Sequence, residues 1–457
     1  MAHNPDIQNL ETRTFDLVIR GGHVATPNGL ENLDIGVAGG KIVGLGVIPA
    51  GRAGQEFDAT GLTVLPGVID TQVHFREPGL EHKEDLASGT AGAALGGVTA
   101  IFEMPNTNPN TLDAAAINDK LARARGRAWV DHAFFMGASD ENASQLGELE
   151  KLPGCAGVKI FMGSSTGSLL VADDETLEEV LRHGRRRVAI HAEDEMRLRE
   201  RLALVKDGAD PDQHPVWRDV ETAVRATTRI LKIARKAGRR IHVLHVSTAD
   251  EMPILAAHKD IATVEVLTHH LTLSAPDCYR RLGTYAQMNP PVRDAHHQAG
   301  IWQALRAGVV DCIGSDHAPH TREEKDRPYP QSPSGMPGVQ TLLPVMLDHV
   351  AKGRLTLQRL IDLTSAGPAR IFNIRNKGRI ALGYDADFSV VDLTAQRTIT
   401  NEWMATKAGW TPYHGMEVTG WPRATIIRGH IVMREDELQG KALGQPVQFQ
   451  ETIQPQG

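Results

Sequence analysis

The middle of the chain alternates short apolar runs with longer segments of helical periodicity, and this alternation constrains the fold more than any other feature. The runs are "VTAIFEM", "WVDHAFFMG", "GVKIFMG", "RVAIHAE", "RIHVLHVS", "TVEVLTHH" and "VVDCIGSDHAPH". Segments between them, such as "ETAVRATTRILKIARKAG", carry apolar residues at helical spacing and end at glycine. Repeated βα units of this number predict an α/β chain with a TIM-type (β/α)8 barrel. An open doubly wound sheet is the alternative, but no Gly-x-Gly-x-x-Gly follows the early strands.

Both ends of the chain have a different texture, made of brief β-rich runs broken by glycine pairs. Examples are "DIGVAGGKIVGLG" near the start and "RATIIRGHIVMRE" near the end. Such runs indicate small antiparallel strands. We therefore expect one composite β-sandwich domain built from both ends. The predicted boundaries are 1–66 for its N-terminal part, 67–374 for the barrel, and 375–457 for its C-terminal part and tail.

Charge and cysteine usage narrow the class of protein. The net charge of -7 and the lack of a long Lys/Arg run exclude the basic footprint that nucleic acids require, so we expect no nucleic-acid partner. The three cysteines are too few and too far apart for a disulfide framework or a CxxC zinc site. The polar N-terminus lacks a signal peptide's apolar core, and no run of about 18 apolar residues follows. These features predict a cytoplasmic protein that does not bind membranes.

Polar residues of one chemical kind fall at the carboxyl ends of the predicted strands, where barrel enzymes build their sites. They are potential metal ligands or ligand precursors: His74, Lys159, His191, His245 and Asp316. A single histidine in such a place is more often a hydrogen-bonded structural residue, but five such positions in one barrel favour a site. Imidazole nitrogen and carboxylate oxygen suit a divalent first-row ion, and zinc is the expected one.

Lys159 and Asp316 need separate treatment. An ammonium group repels a cation, so Lys159 becomes a ligand only if carbon dioxide carboxylates its amine to an anion that can bridge two metals. The alternative is a lysine with a buried stem and its head at the surface. Asp316 is the candidate general base, passing a proton from the nucleophilic water to a leaving nitrogen. Alternatively it is a cap or turn residue in "GSDHAPH".

These residues stand in motifs that resemble the dihydroorotases of the cyclic amidohydrolase superfamily over nearly the whole chain. The motifs are "GVIDTQVHFREPGLEHKED", "GGVTAIFEMPNTNP", "GVKIF", "IHAED", "LHVST", "THHL", "MNPPVR", "GSDHAPH" and "GYDADFSVVD". The resemblance implies a barrel with a composite β-sandwich. It also implies a small-molecule reaction, the reversible cyclisation of N-carbamoyl-L-aspartate to L-dihydroorotate in pyrimidine synthesis.

The resemblance also implies roles for single residues. The metal shell, for one or two zinc ions, would be His74, carboxylated Lys159, His191, His245 and Asp316, and the substrate contacts would be Arg76, Asn106, Asn289 and His320. Dihydroorotate carries a ring carboxylate, and the planar two-pronged guanidinium of Arg76 suits it. The alternative for each asparagine is a turn residue beside proline. Gly335 and Gly338 are expected to form a wall of the pocket, and "HAPHTREEKDRPYPQSPSG" a lid over it.

One position departs from the family's pattern, since Gln72 stands where histidine is common. Glutamine is a neutral and weaker zinc ligand, so we regard Gln72 as a doubtful ligand. Three hypotheses follow. The chain is an active dihydroorotase, or it hydrolyses another ring such as a hydantoin or allantoin, which lack the same ring carboxylate. The third is an inactive homologue that serves as a structural partner of aspartate transcarbamoylase. We expect a homo-oligomer, and such an association is an open possibility.

Overall fold

The computed structural model describes Leu10, residues 13–165 and residues 167–452. The strands are β1 (Phe15–Arg20), β2 (His23–Thr26), β3 (Gly29–Asn32), β4 (Asp34–Ala38), β5 (Lys41–Gly46), β6 (Ala53–Asp58), β7 (Thr63–Pro66), β8 (Val68–Val73), β9 (Val98–Glu103), β10 (Asp131–Gly137), β11 (Cys155–Phe161), β12 (Val188–His191), β13 (Ile241–Val243), β14 (Ala262–Leu267), β15 (Cys312–Gly314), β16 (Phe388–Thr398), β17 (Glu417–Ile427), β18 (His430–Arg434) and β19 (Glu437–Leu438). The helices are α1 (Leu86–Leu95), α2 (Ala114–Ala124), α3 (Leu146–Leu149), α4 (Asp174–Arg182), α5 (Glu195–Leu202), α6 (His214–Trp217), α7 (Val220–Ala237), α8 (Glu251–Ala256), α9 (Thr268–Thr272), α10 (Asp277–Leu282), α11 (Ala295–Arg306), α12 (Arg322–Lys325), α13 (Leu342–Ala351), α14 (Leu357–Ile361) and α15 (Gly367–Ile371).

Strands β8 to β15 form one parallel sheet in chain order. The sheet closes on itself where Val73 pairs with His317 in a parallel bridge and the His74 N–H donates to the His317 carbonyl at 2.7 Å. The Ser315 N–H donates to Asp70 Oδ1 at 3.1 Å across the same seam. The (β/α)8 barrel expected from the alternating pattern is therefore confirmed.

Local sequence accounts for these elements. Every residue of β9 and β11 is buried, as expected for parallel strands covered on both faces. Helix α7 is capped at both ends. The Asp219 side chain, just before the helix, accepts from the Thr222 N–H, and Gly238, just after it, has a left-handed φ of 67°. Among the described residues, no helix is long and apolar enough to cross a membrane.

The two ends of the chain build two further sheets that share one apolar core. One sheet has the order β5-β4-β1-β6, and the other has the order β19-β18-β17-β16-β7-β2-β3. Strand β16 pairs antiparallel with β7, so the C-terminal strands extend the sheet of the N-terminal ones. Ile19 and Val37 from one sheet pack in the same core as Phe388 and Ile426 from the other. The boundaries at residues 66/67 and 374/375 stay a proposal.

A buried ion cluster joins the C-terminal segment to the barrel. Lys377 Nζ lies 2.7 Å from Asp131 Oδ2 in β10 and 3.1 Å from Asp385 Oδ2, and it also pairs with Asp387. Lys377 is only 7% exposed. Removing this ammonium leaves buried carboxylates short of a counter-charge, which is strongly destabilising.

We expect Lys377→Met to lower the free energy of unfolding by about 3 kcal/mol, measured by urea unfolding. Lys151→Met is the matched control, because Lys151 pairs with Glu148, whose side chain is 78% exposed. The control should lose less than about 1 kcal/mol. An equal decrease in the free energy of unfolding in both variants would contradict a large stabilising contribution from the buried cluster.

Candidate metal and catalytic site

The structure brings all five predicted ligand residues to one end of the barrel. His74 follows β8, Lys159 lies in β11, His191 ends β12, His245 follows β13, and Asp316 follows β15. They line one cavity together with Gln72, Arg76, Asn106 and Asn289. Residues from remote parts of the sequence therefore meet where parallel strands point their carboxyl ends.

The backbone at three of these positions is strained. Arg76, His245 and Asp316 have φ values of 66°, 40° and 46°, in the left-handed region that non-glycine residues rarely adopt. Such strain costs on the order of 1–3 kcal/mol per residue and persists where the surroundings enforce it. Strained residues are often found at functional sites, and these three line the cavity.

His74 and Asp316 face each other across the cavity. The neutral His74 ring donates from Nδ1 to Asn106 Oδ1 at 2.8 Å, and this leaves the Nε2 lone pair 3.1 Å from Asp316 Oδ1. Two acceptors directed at each other fit a cation held between them. Burial by itself raises the pKa of Asp316, but the surrounding basic side chains lower it by more, so the net pKa lies below the usual value.

His191 and His245 form a second pair of potential metal ligands. His191 Nε2 donates to Glu193 Oε2 at 3.0 Å, which turns the bare Nδ1 toward His245 Nε2 at 2.9 Å. Arg218 in turn binds Glu193 with both Nε and Nη2. A carboxylate that fixes a histidine's tautomer is the usual partner of a metal-ligating imidazole.

Burial keeps the imidazoles of the cavity in the form that binds metals. The pKa values of His74, His191 and His245 are all lowered, chiefly by desolvation. A neutral ring retains a lone pair for coordination, whereas a protonated ring has none. The donor set therefore fits a divalent cation.

Lys159 is almost completely buried, with 1% of its surface exposed. Its Nζ lies 4.5 Å from the centre of the Phe161 ring, and within the described parts of the chain no carboxylate lies at ion-pair distance from it. Burial lowers the pKa of its amine to about 7. An uncompensated ammonium is costly in such surroundings, so a modified or neutral amine fits the position better.

Gln72 and Arg76 complete the polar lining. Gln72 Oε1 is buried and, among the described residues, has no hydrogen-bond partner, so it offers an unused acceptor to the cavity. Arg76 is 1% exposed and donates from Nε to the Pro319 carbonyl at 3.2 Å. Burial lowers the pKa of its guanidinium to about 10, at which it remains charged. Within the described ranges no carboxylate pairs with Arg76, so its other N–H groups can serve an anion in the cavity.

His320 lies behind Arg76 instead of lining the cavity. Its Nδ1 accepts from Lys83 Nζ at 3.1 Å, and its Nε2 donates to the Ser334 carbonyl at 3.0 Å. Arg76 Nη2 lies 3.2 Å from the same Nε2, a contact between two donor groups. The structure thus places His320 beside the Arg76 head group, where Lys83 and the Ser334 carbonyl fix the position of its ring.

Of the two glycines predicted to form a wall, Gly335 lines the cavity at the edge of the covering segment, whereas Gly338 does not. A Cβ on Gly335 would lie 2.4 Å from the Ala318 carbonyl, and its φ of 142° also favours glycine. Lys325, in α12, donates to the carbonyls of Pro333 and Gly335 at 2.7 and 3.1 Å and so ties the covering segment to the wall. The backbone, without a side chain, therefore forms this side of the pocket.

Sequence reasoning missed several residues that support the site. His214 contacts Asn289 Oδ1 at 3.0 Å, and Asn289 Nδ2 donates to Ser165 Oγ at 3.4 Å. Glu193 could have been predicted from the sequence, because a carboxylate two residues after His191 is placed to bind its ring. No comparable local signal marks His214 or Ser165, because only folding brings them beside Asn289.

An open vestibule of about 350 Å³ adjoins the cavity. Ser165, Asn289 and Ser334 line both spaces. Leu198 and Trp217 contribute apolar surface to the vestibule. A ligand held at the cavity could therefore carry a substituent that extends outward.

Comparisons with known proteins agree with this geometry. A model of the amidohydrolase family matches residues 218–432, and one described as dihydro-orotase-like matches residues 61–156. A dihydroorotase from Methanosarcina acetivorans is 36% identical over 93% of this chain and 94% of that protein. An allantoinase from Solibacter usitatus is 35% identical over 94% and 96% of the two chains. The solved L-hydantoinase (dihydropyrimidinase) from Arthrobacter aurescens superposes with a TM-score of 0.89 at 29% identity, over 95% of this chain and all of that one.

Proposed function

The chain belongs to the amidohydrolase family, as a dihydroorotase-like hydrolase of cyclic amides, and from this premise we propose that it interconverts L-dihydroorotate and N-carbamoyl-L-aspartate. One observation carries the choice of substrate. Arg76 brings a charged, buried guanidinium to the cavity with no protein carboxylate paired to it among the described residues. A buried cation of this kind needs an anionic partner, and the ring carboxylate supplies one.

Amide side chains would form hydrogen bonds with the rest of the substrate. Asn106 and Asn289 both line the cavity and can donate and accept toward the ring amide and carboxylate. Asn289 is held by His214, and Asn106 accepts from His74. Fixed side chains orient a substrate without losing rotamer freedom on binding.

The amidohydrolase family is generally metal-dependent, and we propose zinc as the metal here. One position would be held by carboxylated Lys159, His191 and His245. A second would be held by His74 and Asp316, with the Lys159 carbamate as the shared group, and it is the weaker one because Gln72 offers only an amide oxygen. Because the second position would bind zinc more weakly than the first, we expect one or two ions per chain.

Carboxylation of Lys159 is the part of this proposal with the clearest geometric support. The buried amine lacks a carboxylate partner among the described residues and shares its cavity with three histidines and Asp316. Addition of carbon dioxide to the amine forms an N–C bond and releases one proton. The product, a carbamate anion, would be a suitable ligand for the zinc ion proposed to bind the histidines.

Asp316 would move the proton during hydrolysis. Zinc, when bound, polarises the ring carbonyl and acidifies the attacking water. Asp316 accepts a proton from that water and delivers it to the ring nitrogen as the amide C–N bond breaks. Its lowered pKa keeps the carboxylate ionised and ready at neutral pH. Ring closure uses the same groups in reverse order.

Replacing Arg76 with Met should raise KM for dihydroorotate by about 100-fold while changing kcat less, since a charge-assisted pair of hydrogen bonds contributes about 3 kcal/mol of binding. The assay follows loss of dihydroorotate absorbance. Arg125→Met, at an exposed position, is the matched control and should behave as the parent enzyme. An unchanged KM in the Arg76 variant would favour a substrate without a carboxylate.

A hydantoin or allantoin is the second candidate substrate, and the vestibule favours it. Dihydroorotate needs no room beyond its ring carboxylate, whereas a ring bearing a larger substituent could fill the space of about 350 Å³. Parallel assays with dihydroorotate, allantoin and a 5-substituted hydantoin would separate the candidates. No turnover of dihydroorotate in either direction, with zinc and bicarbonate supplied, would defeat our first choice.

An inactive homologue that assists aspartate transcarbamoylase has less support. Such a protein would be free to lose ligands, yet the cavity retains Lys159, His191, His245 and Asp316. Turnover of any cyclic amide would rule that role out as the protein's sole function.

A further inference from the structure

A second group of potential metal-binding side chains lies inside the barrel and does not line the cavity. His242 in β13, Glu265 in β14 and Cys312 in β15 stand on three neighbouring strands. All three side chains are completely buried. Cys312 Sγ lies 3.6 Å from His242 Nε2 and 3.7 Å from Glu265 Oε2, and the last two atoms are 3.7 Å apart.

These separations match those of ligands that share one ion. A point equidistant from the three atoms lies about 2.1 Å from each, close to the zinc distances for histidine, carboxylate and thiolate. The zinc–thiolate bond, at about 2.3 Å, is the longest of these, so the ion would lie slightly farther from Cys312 Sγ than this point does.

The surrounding residues orient the donors toward that point. His242 Nδ1 donates to Thr263 Oγ1 at 2.8 Å, so the neutral ring directs its Nε2 lone pair at the other two donors. Burial lowers the pKa of His242 to about 3, which keeps that lone pair free of a proton. The Thr71 hydroxyl donates to Glu265 Oε2 at 3.0 Å and also contacts Cys312, so a fourth potential donor atom, an oxygen, lies beside the other three. Orienting hydrogen bonds of this type accompany metal ligands.

We propose that His242, Glu265 and Cys312 bind one zinc ion as a structural site that links strands β13, β14 and β15. Binding releases two protons, one from the Glu265 carboxyl and one from the Cys312 thiol, and forms Zn–O, Zn–S and Zn–N bonds. The resulting complex has no net charge, which limits the cost of burying it.

Charge considerations support the assignment. Burial raises the pKa of the Cys312 thiol well above its usual value, so without a metal the thiol keeps its proton. A metal ion displaces such a proton when it offers a stronger bond in exchange. The His245 N–H donates to Glu265 Oε1 at 3.4 Å, so the ion would also steady the backbone of a cavity ligand.

Cobalt substitution tests this proposal independently of activity. The full-length protein would be produced in zinc-depleted medium with Co²⁺, so that the ion enters during folding. A thiolate bound to Co²⁺ gives a strong near-ultraviolet charge-transfer band, whereas nitrogen and oxygen donors alone do not. The cavity lining contains no cysteine, so cobalt bound there cannot produce the band.

We expect the band in the parent protein and its complete loss in Cys312→Ser, together with the loss of one metal equivalent per chain by elemental analysis. Cys155→Ser and Cys278→Ser are matched controls and should retain the band. If Cys312→Ser fails to fold, survival of the band in both controls still assigns it to Cys312. A parent protein that contains cobalt but lacks the band, or a Cys312→Ser protein that keeps it, would overturn the proposal.

Discussion

Replacing Asp316 with Asn should lower kcat for ring opening by about 1,000-fold, within the range that general acid–base catalysis contributes. Asparagine preserves the size of the side chain and can still face His74, whose Nε2 lies 3.1 Å from Asp316 Oδ1. It cannot accept a proton from water and pass it to the ring nitrogen. Steady-state rates in both directions would measure the loss, and KM should change far less than kcat.

Metal analysis must accompany this measurement, because Asp316 is also a proposed ligand. The position held by Lys159, His191 and His245 should remain filled, so at least one ion per chain is expected in the variant. Asp277→Asn serves as the control, since its carboxylate is exposed on α10 and should not affect turnover. A kcat within tenfold of the parent value would remove Asp316 from the proton-transfer role.

Replacing Lys159 with Ala should reduce both metal content and activity, with kcat/KM falling by about 1,000-fold, which corresponds to about 4 kcal/mol of transition-state stabilisation. The carboxylated lysine would supply the anion shared by the His74–Asp316 position and the His191–His245 position. Without it, His191 and His245 keep only neutral donors toward a cation. The surface variant Lys151→Ala, paired with Glu148 on the protein exterior, should retain metal and rate.

A direct spectroscopic observation can separate carboxylation from a merely structural role of Lys159. Parent protein equilibrated with ¹³C-bicarbonate should show a carbamate carbon signal in the NMR spectrum, and the Ala variant should lack it. Removing carbon dioxide and metal together should inactivate the parent protein, and restoring both should recover it. Full activity of the parent without bicarbonate, and no carbamate signal, would show that an unmodified amine suffices.

Much of the candidate site followed from residue types at strand ends. Short apolar runs predicted the barrel strands because buried parallel strands need apolar residues on both faces, and β9 and β11 show that pattern. His74, His191 and His245 stood out because each closes or follows such a run. Their roles as ligands remain a proposal, since a strand end alone does not distinguish a ligand from a hydrogen-bonded ring.

Other features had no local signature. Arg218 lies 25 residues beyond Glu193 in sequence, yet it binds the carboxylate that orients His191. His320, expected to touch substrate, lies behind Arg76, because Lys83 and the Ser334 carbonyl hold both of its nitrogens. Such contacts depend on loops from different strands that meet above the barrel, and periodicity carries no information about them.

The sequence by itself determined which segments become strands and helices and which chemical groups stand at their ends, because burial periodicity and caps are local properties. Only the tertiary structure decided which groups meet. Closure of the barrel through Val73 and His317 sets the distances among cavity residues that lie on strands far apart in sequence. It also leaves Arg76 without a protein carboxylate among the described residues, and brings Cys312 within 3.6 Å of His242. The physical reason is that distances between remote residues depend on strand register and sheet closure, which no short stretch of sequence encodes.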